Sequence, residues 1–517
     1  MNFKLSLTEE KEWPPLGWIA ELIDGDSIVR VRHGSEVEAR DSWMCEAVWA
    51  GDFNAGDFDR TDLVFGSGIR VRDGEVIFVS SATTVDRLQF LQLPGRTLIS
   101  NSLACLVAVG AVAVDPQFTA YRELLTSIVS GIDSYARSLP TLSPHVELVY
   151  FRNLSWDGAH LAERAKPAFV RDFGTFGKYY EFLAGSVAAI AENMRSPARA
   201  FPYEMLGTLS SGYDSTTAAA LCRAHGMRQA ISFVTARGGE SDHGKDVADV
   251  LGLDLTLVER HAWRADELAE VPYLAATGSG VDVIFEGAAA LMHRRVLITG
   301  FHGDKVWAKD TKALGPDIVR GDASGLSFCE RRLSLGCIHF PIAFLGVRQI
   351  RDIVALSNSP DLAPWDVPGE YSRPICRRIA EDAHVDRKLF GVNKKAATVL
   401  FLRGESMVTP RTRAVYYEWL RQRSATSDRR LTGGPRGPGR WLLALHERYY
   451  LLAQFARFIS RPLPLPARDW IENRVTAFHR DLNRKINLMP YIFPWAIDHW
   501  AKRYSKTTPQ SHGAAGG

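Results

Sequence analysis

The chain has 517 residues, a formal net charge of +3, and a composition that is 46% hydrophobic and 23% charged. This length exceeds one ordinary core, so two or three domains are expected, and the small net charge gives no reason to expect a nucleic-acid or membrane surface. No apolar run is long enough to cross a bilayer, the first residues lack the apolar core of a secretory signal, and the six scattered cysteines form no C-x-x-C pair. These features predict a cytoplasmic protein with free thiols.

Residues 1–165 are predicted to be rich in β-strands. Short runs of Val, Ile, Leu and Phe, such as SIVRVRHG, TDLVFGSGIRVRDGEVIFVSS and RTLISNS, are bounded by Gly and Asp turn signals. Asp73-Gly74 predicts a tight hairpin turn, because this pair tolerates the positive φ that such turns need. FTAYRELLTSIVSGI then predicts a helix, and HVELVYFRNLSWDG predicts a further hairpin.

From about residue 170, helical and strand patterns alternate. FGKYYEFLAGSVAAIAENMRS has helical spacing of its apolar residues. Four strand patterns follow, YEMLGTLS, QAISFVTA, LDLTLVE and RVLITG, interleaved with the helical patterns STTAAALCRAHG, DHGKDVADVLG and FEGAAALMHR. The alternation predicts a parallel sheet covered on both faces. Gly226 and Gly252 stand where C-cap glycines belong.

Beyond about residue 325 the pattern is mostly helical. Residues 421–440 interrupt it with six arginines, one acid and a Gly/Pro cluster, which predicts a surface loop between helices. Binding of an acidic partner is the alternative interpretation of this loop. The aromatic-rich helical patterns on either side favour either a substrate-binding surface or a plain packed cap.

The stretch GTLSSGYDSTTAAALCRAHG joins a strand to a helix through small, hydroxylated and acidic residues. In open α/β sheets, ligands bind beyond the carboxyl ends of the strands. The first N–H groups of the following helix lack partners inside the helix and attract an anion such as phosphate. Asp214 would repel that phosphate unless a cation lay between them, so the stretch predicts Mg²⁺ bound together with a polyphosphate. A capped turn without a ligand is the alternative.

LSSGYDS resembles the pyrophosphate-loop motif S-G-G-x-D-S of the ATP pyrophosphatase (PP-loop) superfamily, with Ser211 in place of the first glycine. The chain resembles in particular the asparagine synthetase family, which includes β-lactam synthetases and lasso-peptide cyclases. LITGFHGDKVWAKD is similar to the family's second motif, S-G-E-G-A-D-E-L-F-G-G-Y, and departs from it at Phe301, Gly303 and Lys305. CIHFPIAFLGVRQIRDIV and EYSRPICRRIAEDAHVDRKLFGVNKKAATVLF resemble two later segments. GRTLISNSLACLVA and SYARSLPTLSPHVELVY resemble parts of the family's N-terminal domain.

This resemblance implies an α/β fold class with four divisions. They are a degenerate Ntn-type, glutaminase-like α+β sandwich (1–165), a parallel-sheet PP-loop synthetase domain (166–405), a helical C-terminal extension (406–505) and a disordered tail (506–517). A glutamine-hydrolysing member has Cys as residue 2, whereas this chain begins Met1-Asn2. We therefore expect the chain to lack glutaminase activity.

The resemblance also implies a set of site residues. Asp214 and Asp304 would hold Mg²⁺, and Lys394 or Lys395 would stabilise the charge of the transition state. A turn residue at Asp304 and surface positions for the two lysines are the alternatives. Glu370, Tyr371 and Glu381 are candidates for orienting or deprotonating an amine. The cofactor-binding residues would be Ser210, Ser211, Gly212, Tyr213, Asp214 and Ser215 around the pyrophosphate, and Leu209, Val234 and Gly300 near the adenine.

The predicted function is that of an asparagine-synthetase-like carbon–nitrogen ligase. It would use ATP and Mg²⁺ to adenylate a small-molecule or peptide carboxylate, and would then transfer the acyl group to an amine in a biosynthetic pathway. The open alternatives are a lasso-type macrolactam cyclase acting on a precursor peptide and a degenerate homologue that binds nucleotide and a partner without catalysis. A thiolating or tRNA-modifying enzyme is less favoured, because neither a cysteine pair nor a basic RNA-binding face is evident. The expected partners are the substrates and either a second copy of the chain or a pathway protein, with no nucleic acid and no membrane.

Overall fold

The computed structural model describes residues 2–115, 118–369, 371–391, 397–399, 408–425 and 491–505, with shorter pieces at 448, 455–456, 458–460, 462–464, 466–471 and 473–475. Within these residues the fold is mixed α/β, with two largely antiparallel sheets followed by one parallel sheet. The strands are β1 (Lys4–Glu9), β2 (Trp18–Ile23), β3 (Ile28–His33), β4 (Glu38–Arg40), β5 (Trp43–Trp49), β6 (Val64–Arg72), β7 (Glu75–Val79), β8 (Leu88–Leu93), β9 (Arg96–Ser100), β10 (Ser138–Leu139), β11 (Val146–Val149), β12 (Asn153–Trp156), β13 (Leu161–Arg164), β14 (Glu204–Thr208), β15 (Gln229–Phe233), β16 (Asp254–Val258), β17 (Arg295–Thr299) and β18 (Ile338–Pro341).

Helices are interleaved with the strands along the chain. The α-helices are α1 (Leu103–Gly110), α2 (Tyr121–Thr126), α3 (Phe176–Met194), α4 (Tyr213–Ala224), α5 (Lys245–Leu251), α6 (Val271–Thr277), α7 (Gly303–Val306), α8 (Cys329–Leu335), α9 (Ile350–Ser357), α10 (Pro374–Asp382), α11 (Pro410–Ala425) and α12 (Ile492–Ala501). Short 3₁₀ segments cover Ser127–Ser130, Ala262–Ala265, Val283–Leu291, Leu326–Phe328, Ile342–Phe344, Val347–Gln349 and Pro360–Trp365.

The two antiparallel sheets form a sandwich in the N-terminal part of the chain. The first has the strand order β1-β3-β2-β9-β8-β11-β10, and the second has the order β13-β12-β7-β6-β5-β4. Alternate residues of both sheets share one buried apolar cluster, in which Trp18 of β2 stacks on Phe78 of β7 with ring centroids 6.5 Å apart. The β-rich prediction is confirmed here, and so is the tight turn between β6 and β7, where Asp73 and Gly74 have φ of 53° and 77°.

The predicted hairpin at HVELVYFRNLSWDG is wrong. Both strands exist, but β11 pairs with β8 and β10 in the first sheet, while β12 pairs with β7 and β13 in the second. The chain crosses between the sheets at the connection from Tyr150 to Arg152, where Phe151 has a φ of 61°. The apolar pattern of a strand does not specify which other strand it pairs with, so the pairing comes only from the structure.

The third sheet is parallel throughout, with the order β16-β15-β14-β17-β18. Its first four strands along the chain confirm the predicted strand patterns, and α5 ends at Gly252, whose φ of 61° makes it the predicted C-cap. At α4 the cap is His225, and Gly226 follows it with a φ of 96°. The fifth strand, β18, was not predicted, because its four residues lie in an apolar run that shows no alternation.

Two other predictions are corrected. The segment FEGAAALMHR lies mostly in the 3₁₀ segment Val283–Leu291 rather than in an α-helix. Within it, a Cβ on Gly287 would lie only 3.0 Å from the side chains of Ala262 and Val258, so the backbone approaches its neighbours closely. The loop predicted from residue 421 begins later, since α11 continues to Ala425. The remainder of that loop lies outside the described residues.

Buried charges join the sandwich to the parallel-sheet part. Arg332 on α8 donates from Nε to Asp86 and from Nη1 to Glu46, both at 2.7 Å. Glu330, two residues earlier on the chain, accepts from the Ser102 hydroxyl at 2.7 Å and from the first backbone N–H of α1. In the C-terminal part, α12 packs against α6 and α1.

The cysteines bear out the predicted thiol chemistry. All six are buried and free. Cys222 on α4 is fully enclosed, and burial raises the pKa of its thiol to about 12, as expected for a packing residue. In the part of the chain that the structure describes, no helix combines the length and apolar character needed to cross a membrane.

Candidate active site

The predicted loop and the predicted second motif meet at one point of the parallel sheet. Strand β14 lies in the centre, with β15 on one side and β17 on the other, so the chain order reverses direction between β14 and β17. Ligands of open α/β sheets bind at such a switch point, beyond the carboxyl ends of the strands. Residues 209–215 follow β14 directly, and residues 300–304 follow β17. Val234 follows β15, so Leu209, Val234 and Gly300 mark the ends of three neighbouring strands.

The loop after β14 is held by its own serines. The Ser210 hydroxyl lies 2.9 Å from the Ser215 hydroxyl and accepts the backbone N–H of Gly212 at 3.1 Å. The Ser215 hydroxyl also accepts the backbone N–H of Ser210. Gly212 is then the N-cap of α4 and provides no side-chain cap, so the first N–H groups of this twelve-residue helix keep the anion-attracting character of a helix N-terminus.

Ser211 and Tyr213 also join the loop to other parts of the chain. The Ser211 hydroxyl donates to the carboxylate of Asp242 at 2.9 Å, and its carbonyl accepts the Gly391 N–H at 2.8 Å, so Ser211 tethers the loop to two other segments. The Tyr213 side chain is fully buried between Gly391, Phe390 and α10. Only the backbone of Tyr213 faces the start of the helix, where a phosphate would bind.

Glycines after β17 let the second motif approach Asp214. A Cβ on Gly300 would lie 2.6 Å from the Cβ of Asp214, and a Cβ on Gly303 would lie 2.6 Å from its Oδ1. His302, between the two glycines, has a φ of 73°, which turns the chain sharply before Asp304. The structure therefore brings Asp214 and the segment that carries Asp304 together. The glycine at 303, which departs from the family motif, lies directly against the carboxylate.

A cation that sequence reasoning missed lies in this site. Arg373, immediately before α10, pairs through Nη1 with Oδ1 of Asp214, and its side chain is only 5% exposed. Burial is the largest single influence and acts to lower the pKa of Arg373, but the Asp214 carboxylate together with Cys376 and Tyr371 raises that pKa overall, so the guanidinium stays charged. Four residues later, Arg377 donates to the Tyr213 hydroxyl. The spacing of Arg373 and Arg377 in SRPICRR was the available signal, since residues four apart share a helix face.

Tyr371 covers the start of α4. Its hydroxyl lies 3.9 Å from the point that a Cβ on Gly212 would occupy, and its ring packs on Tyr213 with centroids 4.9 Å apart. Burial raises the pKa of Tyr371 to about 12, and this is opposed first by the Arg373 charge and then by a hydrogen bond that the Tyr213 backbone donates to the hydroxyl. Of the other two residues predicted beside it, Glu381 pairs with Arg377 and Arg387, and Glu370 lies outside the described residues.

Buried polar groups surround the Asp304 segment. The His302 ring stacks on Phe344 at 5.1 Å, and burial, with Arg320 and Lys305, lowers the pKa of His302 well below its usual value. Among the described residues, His302 Nε2 and Arg320 Nη1 are buried with no hydrogen-bond partner. His339, on the neighbouring strand β18, is hydrogen-bonded to Thr299 of β17 at 2.9 Å, and burial lowers its pKa to about 3. Both histidines are therefore neutral at pH 7.

A cavity of about 200 Å³ lies near the Asp304 segment, between the sandwich and the end of β18. Phe151, Phe169 and Phe344 give it aromatic walls, and Arg171 and Arg348 line its polar side. Phe344 is shared, since its other contact is the His302 ring. The cavity is thus separated from the Asp304 segment by one layer of side chains.

The residues present fit a Mg²⁺–pyrophosphate group. Mg²⁺ in nucleotide sites is bound by one or two carboxylates together with the phosphates, and Asp214, in the first turn of α4, and Asp304, in the first turn of α7, would be those carboxylates. The Arg373 guanidinium already stands as a cation on Asp214. In the described part of the chain, no cluster of three or more His, Cys, Asp or Glu residues forms a separate metal site. Lys394 and Lys395, the predicted catalytic lysines, lie outside the described residues.

Comparisons with known proteins leave the function to be inferred from this site. No protein-family model matches the chain, and no curated protein matches its sequence. The groups present are the N-terminus of α4, aspartates in the first turns of α4 and α7, and the Arg373 guanidinium. The helix N-terminus and the guanidinium attract anions, and the aspartates attract cations. Such a set of groups suits the binding and displacement of phosphates more than proton transfer, because both nearby histidines are buried and neutral.

Proposed function

We propose that the chain is an ATP-dependent, AMP-forming ligase that joins a carboxylate to an amine. The observation that carries the proposal is the meeting, at the β14–β17 switch point, of the α4 N-terminus with Asp214 and the Asp304 segment. As part of the same proposal, we assign the parallel sheet to the PP-loop class and the two-sheet sandwich to the Ntn class. The strand order with β14 at the centre supports the first assignment, and the face-to-face packing of the two antiparallel sheets supports the second.

The proposed reaction has two displacements. A carboxylate oxygen attacks the α-phosphorus of ATP, the bond to the β-phosphate oxygen breaks, and pyrophosphate leaves. The amine nitrogen then attacks the carbonyl carbon, loses a proton, and AMP leaves. Positioning and neutralisation of charge carry most of the catalysis in such transfers.

Each residue has a proposed role in this reaction. The N–H groups at the start of α4 bind the pyrophosphate oxygens, and Ser210 and Ser215 keep the loop in the conformation that exposes those groups. Asp214 and Asp304 hold Mg²⁺, which neutralises phosphate charge when bound. Gly300 and Gly303 permit the close approach of the two acidic segments.

A nucleotide-binding protein without turnover is the second candidate. The contact that favours it is the pairing of Arg373 with Asp214, because the arginine neutralises the carboxylate that a metal would otherwise need. The two functions differ in one measurable respect, the release of pyrophosphate and AMP from ATP.

The test is release of pyrophosphate and AMP by the purified chain with ATP, Mg²⁺ and pools of carboxylates and amines. The ligase requires both products, and requires Asp214→Asn and Asp304→Asn to abolish them. Asp361→Asn, at an exposed acid in the first turn of a 3₁₀ segment, is the matched control and should retain full turnover. MgATP binding without either product would favour the second candidate, and full turnover in Asp214→Asn would overturn the metal assignment.

A further inference from the structure

Two side chains just before α10, Tyr371 and Arg373, cover the N-terminus of α4 and the Asp214 carboxylate. The Tyr371 hydroxyl lies over Gly212 and the backbone of Tyr213, at the N-terminus of α4. Arg373, two residues later, lies on the carboxylate of Asp214. A polar oxygen thus stands where an anion would bind, and a cation stands beside the proposed metal ligand.

The backbone of Arg373 is fixed, but its side chain can pair with different anionic groups. Its carbonyl accepts the Arg377 N–H at 3.0 Å, which makes Arg373 the N-cap of α10 and anchors its main chain. Its guanidinium lies 5.3 Å from the Tyr371 ring centre and 5.9 Å from that of Tyr213, so aromatic faces flank it. The long side chain can change partners without moving α10, because Arg377 separately ties the helix to Tyr213.

Binding of a metal ion would change the pairing of charges around Asp214. A metal ion on Asp214 would compete directly with the guanidinium for the same carboxylate oxygens. Once displaced, Arg373 would be a buried cation without its partner, which is costly. Phosphate oxygens are the natural replacement, because a guanidinium binds phosphate through two parallel hydrogen bonds.

We propose that Arg373 is a further nucleotide-binding residue that changes partner, neutralising Asp214 in the free protein and binding a phosphate of ATP when Mg²⁺ occupies Asp214. The Tyr371 hydroxyl leaves the N-terminus of α4 in the same step, because the phosphate takes the backbone donors that it covers. This inference rests on the proposed function. It adds that, in the free site, the Arg373 guanidinium takes the place of the metal and the Tyr371 hydroxyl takes the place of the phosphate.

The test compares wild type with Arg373→Gln by titration calorimetry, first with Mg²⁺ alone and then with MgATP. Loss of the competing guanidinium should tighten the binding of Mg²⁺ alone several-fold. Loss of a charge-assisted contact to phosphate should weaken MgATP binding by roughly ten-fold or more. Arg373→Lys keeps the charge without the fork and should give intermediate values for both ligands.

Arg378→Gln is the matched control. Arg378 lies on the same helix, stacks on Phe176 at 4.0 Å and pairs with Asp382, so it shares the chemistry of Arg373 without touching Asp214. Its binding constants should equal those of wild type. Thermal melting of each variant monitors folding, and Arg373→Lys serves as the informative variant if Arg373→Gln does not fold.

The outcomes separate this inference from the proposed function. Suppose that wild type binds MgATP, and that Arg373→Gln either has the wild-type affinity for both ligands or binds MgATP more tightly. This result would overturn the proposed change of partner and leave the ligase proposal standing. Wild type that binds no MgATP would overturn both. Opposite shifts for Mg²⁺ and MgATP support the inference even if the amine and carboxylate remain unidentified.

Discussion

Gly300 lies directly against Asp214, so closely that a Cβ at position 300 would be 2.6 Å from the Asp214 Cβ and 2.7 Å from the Ser215 backbone nitrogen. The contact joins the end of β17 to the first turn of α4, and it sets the separation of the two acidic segments. A side chain at position 300 would push the helix start away from the sheet.

Gly300→Ala should therefore damage both stability and nucleotide binding. Forcing an extra methyl into a packed site costs about 1–3 kcal/mol, and the displaced α4 should bind MgATP at least several-fold more weakly. Urea unfolding and calorimetry measure the two effects. Gly185→Ala is the control, since Gly185 is exposed on α3 with nothing within 4 Å of its would-be Cβ. It should gain about 0.5–1 kcal/mol from helix propensity and bind MgATP normally.

The buried charges of Arg332, Glu46 and Asp86 lead to a prediction about pH. Arg332→Met removes the cation and leaves two enclosed carboxylates, which should cost about 3–5 kcal/mol of unfolding free energy at pH 8. Burial already raises the pKa of Asp86, with Arg332 opposing it, so loss of Arg332 raises that pKa further. A folded-state pKa above the unfolded value means that the penalty is greatest at high pH and shrinks as the Asp86 carboxylate protonates.

Urea unfolding at pH 8 and pH 5 checks this sign. The deficit of Arg332→Met relative to wild type should be smaller at pH 5. Arg30→Met is the control, because Arg30 is 43% exposed in a surface pair with Asp26 and should cost about 1 kcal/mol or less at either pH. A deficit that grows towards acid pH would contradict the assignment of buried, uncompensated carboxylates.

The sequence predicts the part of the site that local chemistry determines. The loop between β14 and α4 and the helix cap at Gly252 each depend on residues that are neighbours in the sequence. Both could therefore be predicted from the sequence alone. Arg373 could not, because its contact with Asp214 spans 159 positions and depends on how α10 packs on α4.

The same distinction explains the errors in the fold. Strands β11 and β12 each have a clear pattern, but their partners lie in different sheets, which only the packing of the sandwich determines. Ser211 illustrates the point at the scale of one residue. Its hydroxyl is a candidate phosphate ligand from the sequence, and the structure adds a hydrogen bond to Asp242, 31 residues away, that the sequence does not reveal.

Lys166 gives the chain a pH-dependent stability of its own. Its amino group is buried and donates to the Ser80 carbonyl at 2.6 Å and to Asn153 Oδ1 at 2.8 Å. Burial lowers its pKa to about 7, and Asp62 opposes this. Because the folded pKa lies below the unfolded one, the unfolded state binds more protons between about pH 7 and pH 10, and stability rises with pH in this window.

Lys166→Met should remove that dependence. The unfolding free energy of wild type minus that of the variant should rise by roughly 1 kcal/mol per pH unit between pH 7 and pH 9. Taking the difference cancels the titration of other groups. Lys178→Met, at an exposed lysine paired with Asp172, should show no such slope. A flat difference for Lys166→Met would mean that the amino group remains charged when buried.

The hydrogen bond from Arg377 to the Tyr213 hydroxyl should connect folding stability to nucleotide binding. Arg377 is 5% exposed, and Tyr213→Phe removes its acceptor while keeping the ring that fills the space between α4 and α10. Loss of a hydrogen bond to a buried charge should cost about 1.5–3 kcal/mol. Because Arg373 lies one turn before Arg377, a looser α10 should also weaken MgATP binding several-fold. Urea unfolding and calorimetry measure both effects.

Tyr180→Phe is the control for this change, since Tyr180 is 37% exposed on α3 and should alter neither quantity. A Tyr213→Phe protein that loses stability but binds MgATP like wild type would show that the docking of α10 on α4 is structural only. Loss of both in Tyr213→Phe, with Arg373→Gln losing mainly the binding, is the expected pattern. It would follow from two arginines one turn apart, Arg377 on α10 holding the helix in place and Arg373 at its N-cap facing the phosphates.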